Sequence, residues 1–418
     1  MNQTETAPTP ENPTQSAKLK RAIGLPMLVL YGLGTTIGAG IYVLVGETAG
    51  RAGEFAPISF AISALVMAFS AASFAEFSGR VPQSAGEAVY VEEGFRKPWL
   101  AALTGYAIIL AGTVAAAAIS LGCAGYVAQL LPVPEPVIVL ALFTIMGLLA
   151  IWGIQESVTV ASVLTVIEVI GLLVIIGAGF RENPAMLSDV PTLVPEYSNT
   201  TAWTGVISAS LIAFFAFIGF DDVVNVVEET VNPARVMPWA IGITLLVVTV
   251  LYIMVSIVAV DTLPLEELSV SKAPIGLLFE RLTGISPLTI TLVAIAATMN
   301  GIVIQIIMAS RVAYGLSRRH YLPQMFSAVN PLTQTPIYAT VLIAMSGLVF
   351  ALFVPLGRLA EFTSQLILFI FCLVNVSLVI IKFRGDDPPE GIFTVPNWIP
   401  VVGAISCFAL LAGPFFIS

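Results

Sequence analysis

The sequence predicts an all-α membrane protein of about 11 transmembrane helices, with helices 1 and 6 discontinuous. Composition is the first sign. Of 418 residues, 57% are apolar and only 10% are charged, whereas a soluble domain carries about 25% charged residues. The second sign is a set of eleven apolar runs, at 24–49, 57–79, 98–131, 136–152, 157–180, 202–228, 236–260, 286–316, 336–356, 358–381 and 396–416. A bilayer is crossed by about 20 such residues. The third sign is that Gly34-Thr35-Thr36-Ile37-Gly38-Ala39-Gly40-Ile41 and Phe217-Ile218-Gly219-Phe220-Asp221-Asp222 interrupt the first and sixth runs. In hydrocarbon, irregular backbone persists only where it is buried in protein or lines a cavity, so each break marks a candidate site. Two breaks in corresponding halves of a chain are how a midplane site for a small polar solute is built.

Each run adds to this. In the first, Gly38 and Gly40 have no side chain to hold a solute off the backbone, so the amides that start the next half-helix are open to a carboxylate. The competing reading of these glycines is close packing between helices. The second run ends in Ala75-Glu76-Phe77-Ser78-Gly79-Arg80-Val81-Pro82, and the third offers no carboxylate down to Ser120. The fifth holds Glu168, and an intramembrane carboxylate is a functional candidate because burying it unpaired is expensive. In the sixth, the carbonyls of Ala216 and Ile218 stand at the negative end of a half-helix dipole and suit an ammonium. Asp221 or Asp222 is placed to cap the half-helix that resumes. The eighth reads Thr298-Met299-Asn300-Gly301, and the tenth carries Glu361 near its start, facing either water or an outer gate.

Setting Ile37-Gly38 on Ile218-Gly219 gives an offset of 181 that also brings Glu47 onto Glu228. Five runs per half is an odd number, which inverts the second copy. The expected organisation is a disordered tail at 1–21, a core at 22–384 with inverted repeats of about 22–180 and 200–384, and a loop plus one additional helix at 385–418. Residues 1–20 are polar and hold no apolar stretch of a secretory signal. With the N-terminus cytoplasmic, twelve of the 17 basic residues fall inside and five outside, as the positive-inside rule requires. Cys123, Cys372 and Cys407 lie within runs and read as small apolar residues. His320 reads as a helix-end residue beside Arg318 and Arg319. The net charge of -9 argues against a nucleic-acid partner.

Further runs are Thr36-Ile37-Gly38-Ala39-Gly40-Ile41-Tyr42-Val43-Leu44, Phe214-Phe215-Ala216-Phe217-Ile218-Gly219-Phe220-Asp221 with Glu228-Glu229 and Asn232-Pro233 after it, and Arg311 ahead of Leu322-Pro323. Together with the 75–82 segment they resemble the amino acid, polyamine and organocation transporter superfamily, closest to its cationic amino acid transporter branch. The resemblance runs from about residue 22 to 384. It implies a LeuT-type 5+5 inverted repeat working by alternating access, with an amino acid as substrate. Its carboxylate would meet the first break at Thr36, Ile37, Gly38, Ala39 and Gly40. Its ammonium would meet the second at Ala216, Phe217 and Ile218, and Phe215 occupies the position of an aromatic lid, or else simply packs.

The chain departs from that pattern in three places. Many relatives that carry cationic substrates have an acidic residue on the third span, where Gly105-Tyr106-Ala107-Ile108-Ile109-Leu110-Ala111-Gly112 puts Ala111. A cationic side chain would lack its counter-charge there, so neutral amino acids are favoured. Relatives that dispense with sodium often have a Lys on the fifth span, where this chain has Glu168. On the eighth, the adjacent hydroxyls of sodium-coupled relatives are absent, leaving Thr298 and the Asn300 amide. Burial favours the protonated form of a carboxyl, so a buried glutamate is able to gain and lose a proton as its surroundings change. The expected coupling ion is the proton, through Glu168 with Asn300 as a further candidate. Sodium is less favoured, and a structural Glu168 is the competing reading.

No nucleophile and base pair or metal-ligand set stands at usable spacing, which excludes an enzyme, and no repeated filter-like loop suggests a channel. The expected protein is a multi-pass amino acid transporter of the plasma membrane, with the substrate and the lipid bilayer as its partners and no organic cofactor. An uncoupled exchanger, a carrier of amines or cationic amino acids, and a transporter-like nutrient sensor are the alternatives.

Overall fold

A computed structural model of the chain describes residues 21–82, 86–153 and 158–417. Residues 1–20, most of the expected tail, lie outside that range. The described residues form α-helices joined by short 3-10 turns, with no strand beyond a single parallel bridge between Ile23 and Thr230.

The first apolar run is two helices, α1 (Leu25–Thr36) and α2 (Ala39–Ala52). There follow α3 (Ala56–Arg80), α4 (Gly86–Phe95), α5 (Pro98–Leu130), α6 (Glu135–Trp152) and α7 (Val158–Glu182). In the second half, α8 (Thr200–Phe215) ends at the second break and is succeeded by a 3-10 helix, Asp221–Glu229. Then come α9 (Pro233–Thr262), the short α10 (Leu265–Val270) and α11 (Pro274–Thr283), α12 (Leu288–Arg318), α13 (Ile337–Phe353), α14 (Leu356–Arg384) and α15 (Trp398–Ile417). The apolar runs became helices within a few residues of their expected ends. Among the described residues, seven stretches are long and apolar enough to cross a membrane, and four more apolar helices are shorter. Two of those four, α1 and α8, are short because the breaks cut them.

Local chemistry sets the ends. Proline opens α1, α3, α5, α6, α9 and α11, where a missing N–H costs nothing. Asn199 caps α8 by accepting from the Ala202 amide at 3.0 Å. Left-handed glycines at 153, 284 and 385 stop α6, α11 and α14. Helices α4, α10 and α11, each of ten residues or fewer, lie between the apolar runs and are not among the expected spans.

One end of the molecule is tied by a buried carboxylate. Glu76, fully buried on α3, accepts from Arg80 Nε at 2.8 Å, Lys382 Nζ at 2.8 Å and the Val395 amide at 2.7 Å. Such a charge is tolerable only when its lone pairs are all used. The cluster fixes α3, α14 and the segment leading to α15 together, and Asp386 extends it by pairing with Arg96 and Arg384. At the opposite end, Arg51 of α2 donates to Ser208 of α8 at 3.1 Å and to Glu361 of α14 at 3.2 Å.

Candidate functional site

The two breaks pack against each other, backbone to backbone. A Cβ on Gly40 would lie 2.3 Å from Ala216 Cα, and one on Gly219 would lie 2.3 Å from the Thr35 carbonyl oxygen. Gly219 also has φ +123, which L side chains rarely adopt. The contact is bonded as well as tight, since Thr35 Oγ1 donates to the Gly219 carbonyl at 2.9 Å. Just beyond, the Ala22 amide donates to Glu229 O and the Val231 amide to Ile23 O, both at 2.9 Å, lacing the start of span one to the end of span six. Gly40 thus serves packing, the competing reading of its role, while its amide still belongs to the first turn of α2.

The first break is short and braced. Thr36 is buried, its Oγ1 donates to Gly32 O at 2.8 Å, and its own carbonyl accepts from Tyr252 Oη at 2.8 Å. Ile37 is fully buried. Gly38 starts α2 with no side-chain cap, and a Cβ there would meet nothing within 4 Å. Backbone amides of a first helical turn have no intrahelical partner, so the start of α2 at Gly38, Ala39 and Gly40 presents amides that its own helix does not use. Of Ala39 only the backbone is described.

The second break is built differently. Phe215 closes α8, and the amides of Ala216, Phe217 and Ile218 turn back onto Ala213, Phe214 and Phe215 at 3.0–3.1 Å. Phe215 is 6% exposed, and Phe217 packs its ring 5.3 Å from that of Tyr252. The chain resumes as a 3-10 helix rather than the expected α-helix, and Asp221 accepts from the Gly219 amide behind it at 2.9 Å. That holds the bend itself, a role the sequence assigned to capping of the downstream half-helix.

A cavity of about 610 Å³ opens beside this second break. Of the expected substrate residues, Ile218 lines it; Ala111 is also on its wall. It runs between α5, from Ala101 to Ala115, and the stretch from Gln305 of α12 to Arg319, about 21 Å at 1.5 Å per residue. At one end it reaches Arg319, which pairs with α4 near Arg96 and Arg384. The lining carries Glu87, Asp221, Asp222 and Glu229; Arg311 stands on α12 and Arg319 just past its end. Arg319 is paired with Glu92 of α4 at 2.7 Å. Glu87 projects from α4, and burial together with the neighbouring Asp221 pushes its carboxyl well above the usual carboxylate range. The sequence missed Glu87 and Gln305 as site residues: one sits in a polar segment without an apolar run, the other is a lone amide in a long one.

The expected coupling residues stand elsewhere. Glu168 is 2% exposed on α7, and its carbonyl accepts from Tyr42 Oη of α2 at 3.2 Å. One turn earlier, Thr165 Oγ1 lies 2.1 Å from where a Cβ on Gly34 of α1 would be. Helix α7 therefore touches both halves of span one and brings Glu168 alongside the first break. Asn300 is off the cavity wall, and its buried Oδ1 has no hydrogen-bond partner among the described residues. Thr298 donates to the Ala294 carbonyl at 2.7 Å.

The chain matches the amino acid permease family over residues 23–418. It is 32% identical to the vacuolar cationic amino acid transporter 2 of Arabidopsis thaliana over 88% of this chain and 61% of that protein. It is 30% identical to a branched-chain amino acid permease of Bacillus subtilis over 93% of this chain and 86% of that protein. With the methylthioribose transporter of Bacillus subtilis it shares 29% identity over 94% of this chain and 87% of that protein. The chain spans about six-tenths of the length of the plant relative. Two bonded helix breaks, a cavity at one of them and these matches lead to one conclusion: the chain belongs to the amino acid permease family.

Proposed function

We propose that the protein is a secondary active transporter of amino acids across the plasma membrane, proton-coupled and favouring neutral side chains. It works by alternating access on a LeuT-type frame of two inverted five-helix repeats, with an eleventh span outside the repeat and the N-terminus cytoplasmic. The observation that carries this reading is the backbone contact of the two breaks, Gly40 on Ala216 and Gly219 on Thr35, beside a cavity that reaches Ile218. Substrate carboxylate sits at the uncapped start of α2, and its ammonium at the carbonyls of the 216–218 turn. The Arg319 end of the cavity is then the cytoplasmic opening, and the Arg51 bridge to Glu361 and Ser208 is the outer closure. Glu168 takes up and releases the coupling proton beside the first break, so that its charge state biases how α1 and α2 sit.

Ala111 on the cavity wall supports neutral substrates, because it leaves α5 without a counter-charge for a cationic side chain. The relatives are named as transporters of cationic amino acids, of branched-chain amino acids and of methylthioribose. A second reading, a carrier of cationic amino acids or amines, is favoured by Glu87, Asp221, Asp222 and Glu229 in the cavity lining. Uptake of labelled amino acids into proteoliposomes under an imposed pH gradient, a sodium gradient or none decides between them. Saturable, pH-driven accumulation of neutral amino acids supports the first reading. Uptake restricted to lysine, arginine or amines supports the second, and uptake driven by sodium alone contradicts proton coupling.

A further inference from the structure

We propose that Gln305 is the residue that reads the substrate side chain, and that it selects amino acids whose side chain is uncharged and hydrogen-bonding. This rests on the amino acid transport reading and names the substrate class of the same site. Toward the end of the cavity away from Arg319, its lining includes Ile108, Ala111 and Ala115 of α5, Gln305 of α12 and Thr363 of α14, with Ile218 from the second break. The small residues of α5 make room there and supply no polar group. Thr363 uses its proton within its own helix, donating to the Leu359 carbonyl at 2.9 Å.

Gln305 differs from all of these. Its carboxamide has no hydrogen-bond partner among the described residues, and it lies over Gly112, where an added Cβ would stand 3.3 Å from Oε1. The backbone of α5 yields at that position, and the amide lies against it. A carboxamide offers two donors and an acceptor without charge. A side-chain amide or hydroxyl of the substrate satisfies it on entry, whereas an apolar side chain of equal length would cover it and leave it unpaired. A side-chain ammonium would find no carboxylate on α5 at this level.

The test uses the full chain in proteoliposomes and measures KM for glutamine, norleucine and alanine, the last being too short to reach the carboxamide. Wild type is expected to prefer glutamine to norleucine by about tenfold, the equivalent of one net hydrogen bond. In Gln305→Leu the KM for glutamine, relative to that for alanine, rises about tenfold. Gly112→Ala, which displaces the carboxamide by a few tenths of an ångström, produces a smaller change in the same direction. Melting temperature and monodispersity show that each variant is folded. An unchanged glutamine-to-alanine ratio in Gln305→Leu overturns the proposal, as does an equal loss for both substrates or a wild type that prefers norleucine. Absence of saturable uptake of every amino acid by wild type would overturn the transport reading itself, and this assignment with it.

Discussion

The two helix breaks do different work, although the sequence presents them as a matched pair. The first spans only Ile37 and Gly38 between α1 and α2 and is braced by Tyr252, Thr35 and the second break. The second runs from Ala216 to Phe220, resumes as a 3-10 helix, and stands at the wall of the cavity. Glu168 lies beside the braced break, while Glu87, Asp221 and Asp222 lie beside the open one. Two like interruptions thus divide two tasks. Under the proposed function, one holds a fixed set of amides against which a solute is measured, and the other gives the solute its way in and out.

The largest expected effect comes from forcing the two breaks apart. Gly40→Val places atoms inside Ala216, and Gly219→Ala meets both a positive φ and the Thr35 carbonyl. Each is expected to cost about 3 kcal/mol or more and to abolish monodisperse protein in size-exclusion chromatography. Gly38→Ala is the counterpart, since its Cβ meets nothing within 4 Å. It is expected to fold normally and to raise KM, because the methyl crowds the amides offered to the carboxylate. Equal damage from Gly38→Ala and Gly40→Val would erase the distinction between binding and packing glycines.

Next in size is the outer closure. Arg51→Gln removes the bridge from α2 to Glu361, a partly exposed pair whose loss is expected to shift the conformational balance by roughly fivefold. A cysteine placed on the cavity wall, Val312→Cys, reports it. Labelling by an impermeant thiol reagent from the cavity side should slow in the Arg51→Gln background, and an unchanged rate would mean that the bridge closes nothing.

A smaller effect separates the open break from the braced one by pH. Glu87 holds its proton to higher pH in the folded protein than in the unfolded chain. Its folded state is therefore most favoured below the ordinary carboxylate range and loses stability as pH rises through the raised pKa. Glu87→Gln should flatten the fall of melting temperature with rising pH, and an unaltered slope would contradict this. The smallest effect is Tyr252→Phe, which removes the hydrogen bond to the Thr36 carbonyl and should cost about 1 kcal/mol in chemical unfolding.

Much of the frame was legible because it is written locally. Apolar length gave the helices, and paired glycines with an Asp-Asp step gave the breaks. Ala111, singled out on the third run for the acidic residue it lacks, lines the cavity. What could not be read depends on distant partners. Gln305 gains its meaning from Gly112 on another helix, and Arg51 from Glu361, 310 residues away. Helix α4, which carries Glu87, is too short and too polar to register against apolar runs. The 3-10 helix after the second break was unforeseen for a similar reason: its geometry is set by lacing to the residues before α1.

The most direct test of proton coupling beside the braced break is amino acid accumulation in proteoliposomes under an inward proton gradient, for wild type and Glu168→Gln. The account predicts gradient-driven accumulation in wild type and its loss in Glu168→Gln, with exchange across equal pH retained. Accumulation unchanged in the variant would contradict the account and leave Glu168 a packing residue of α7.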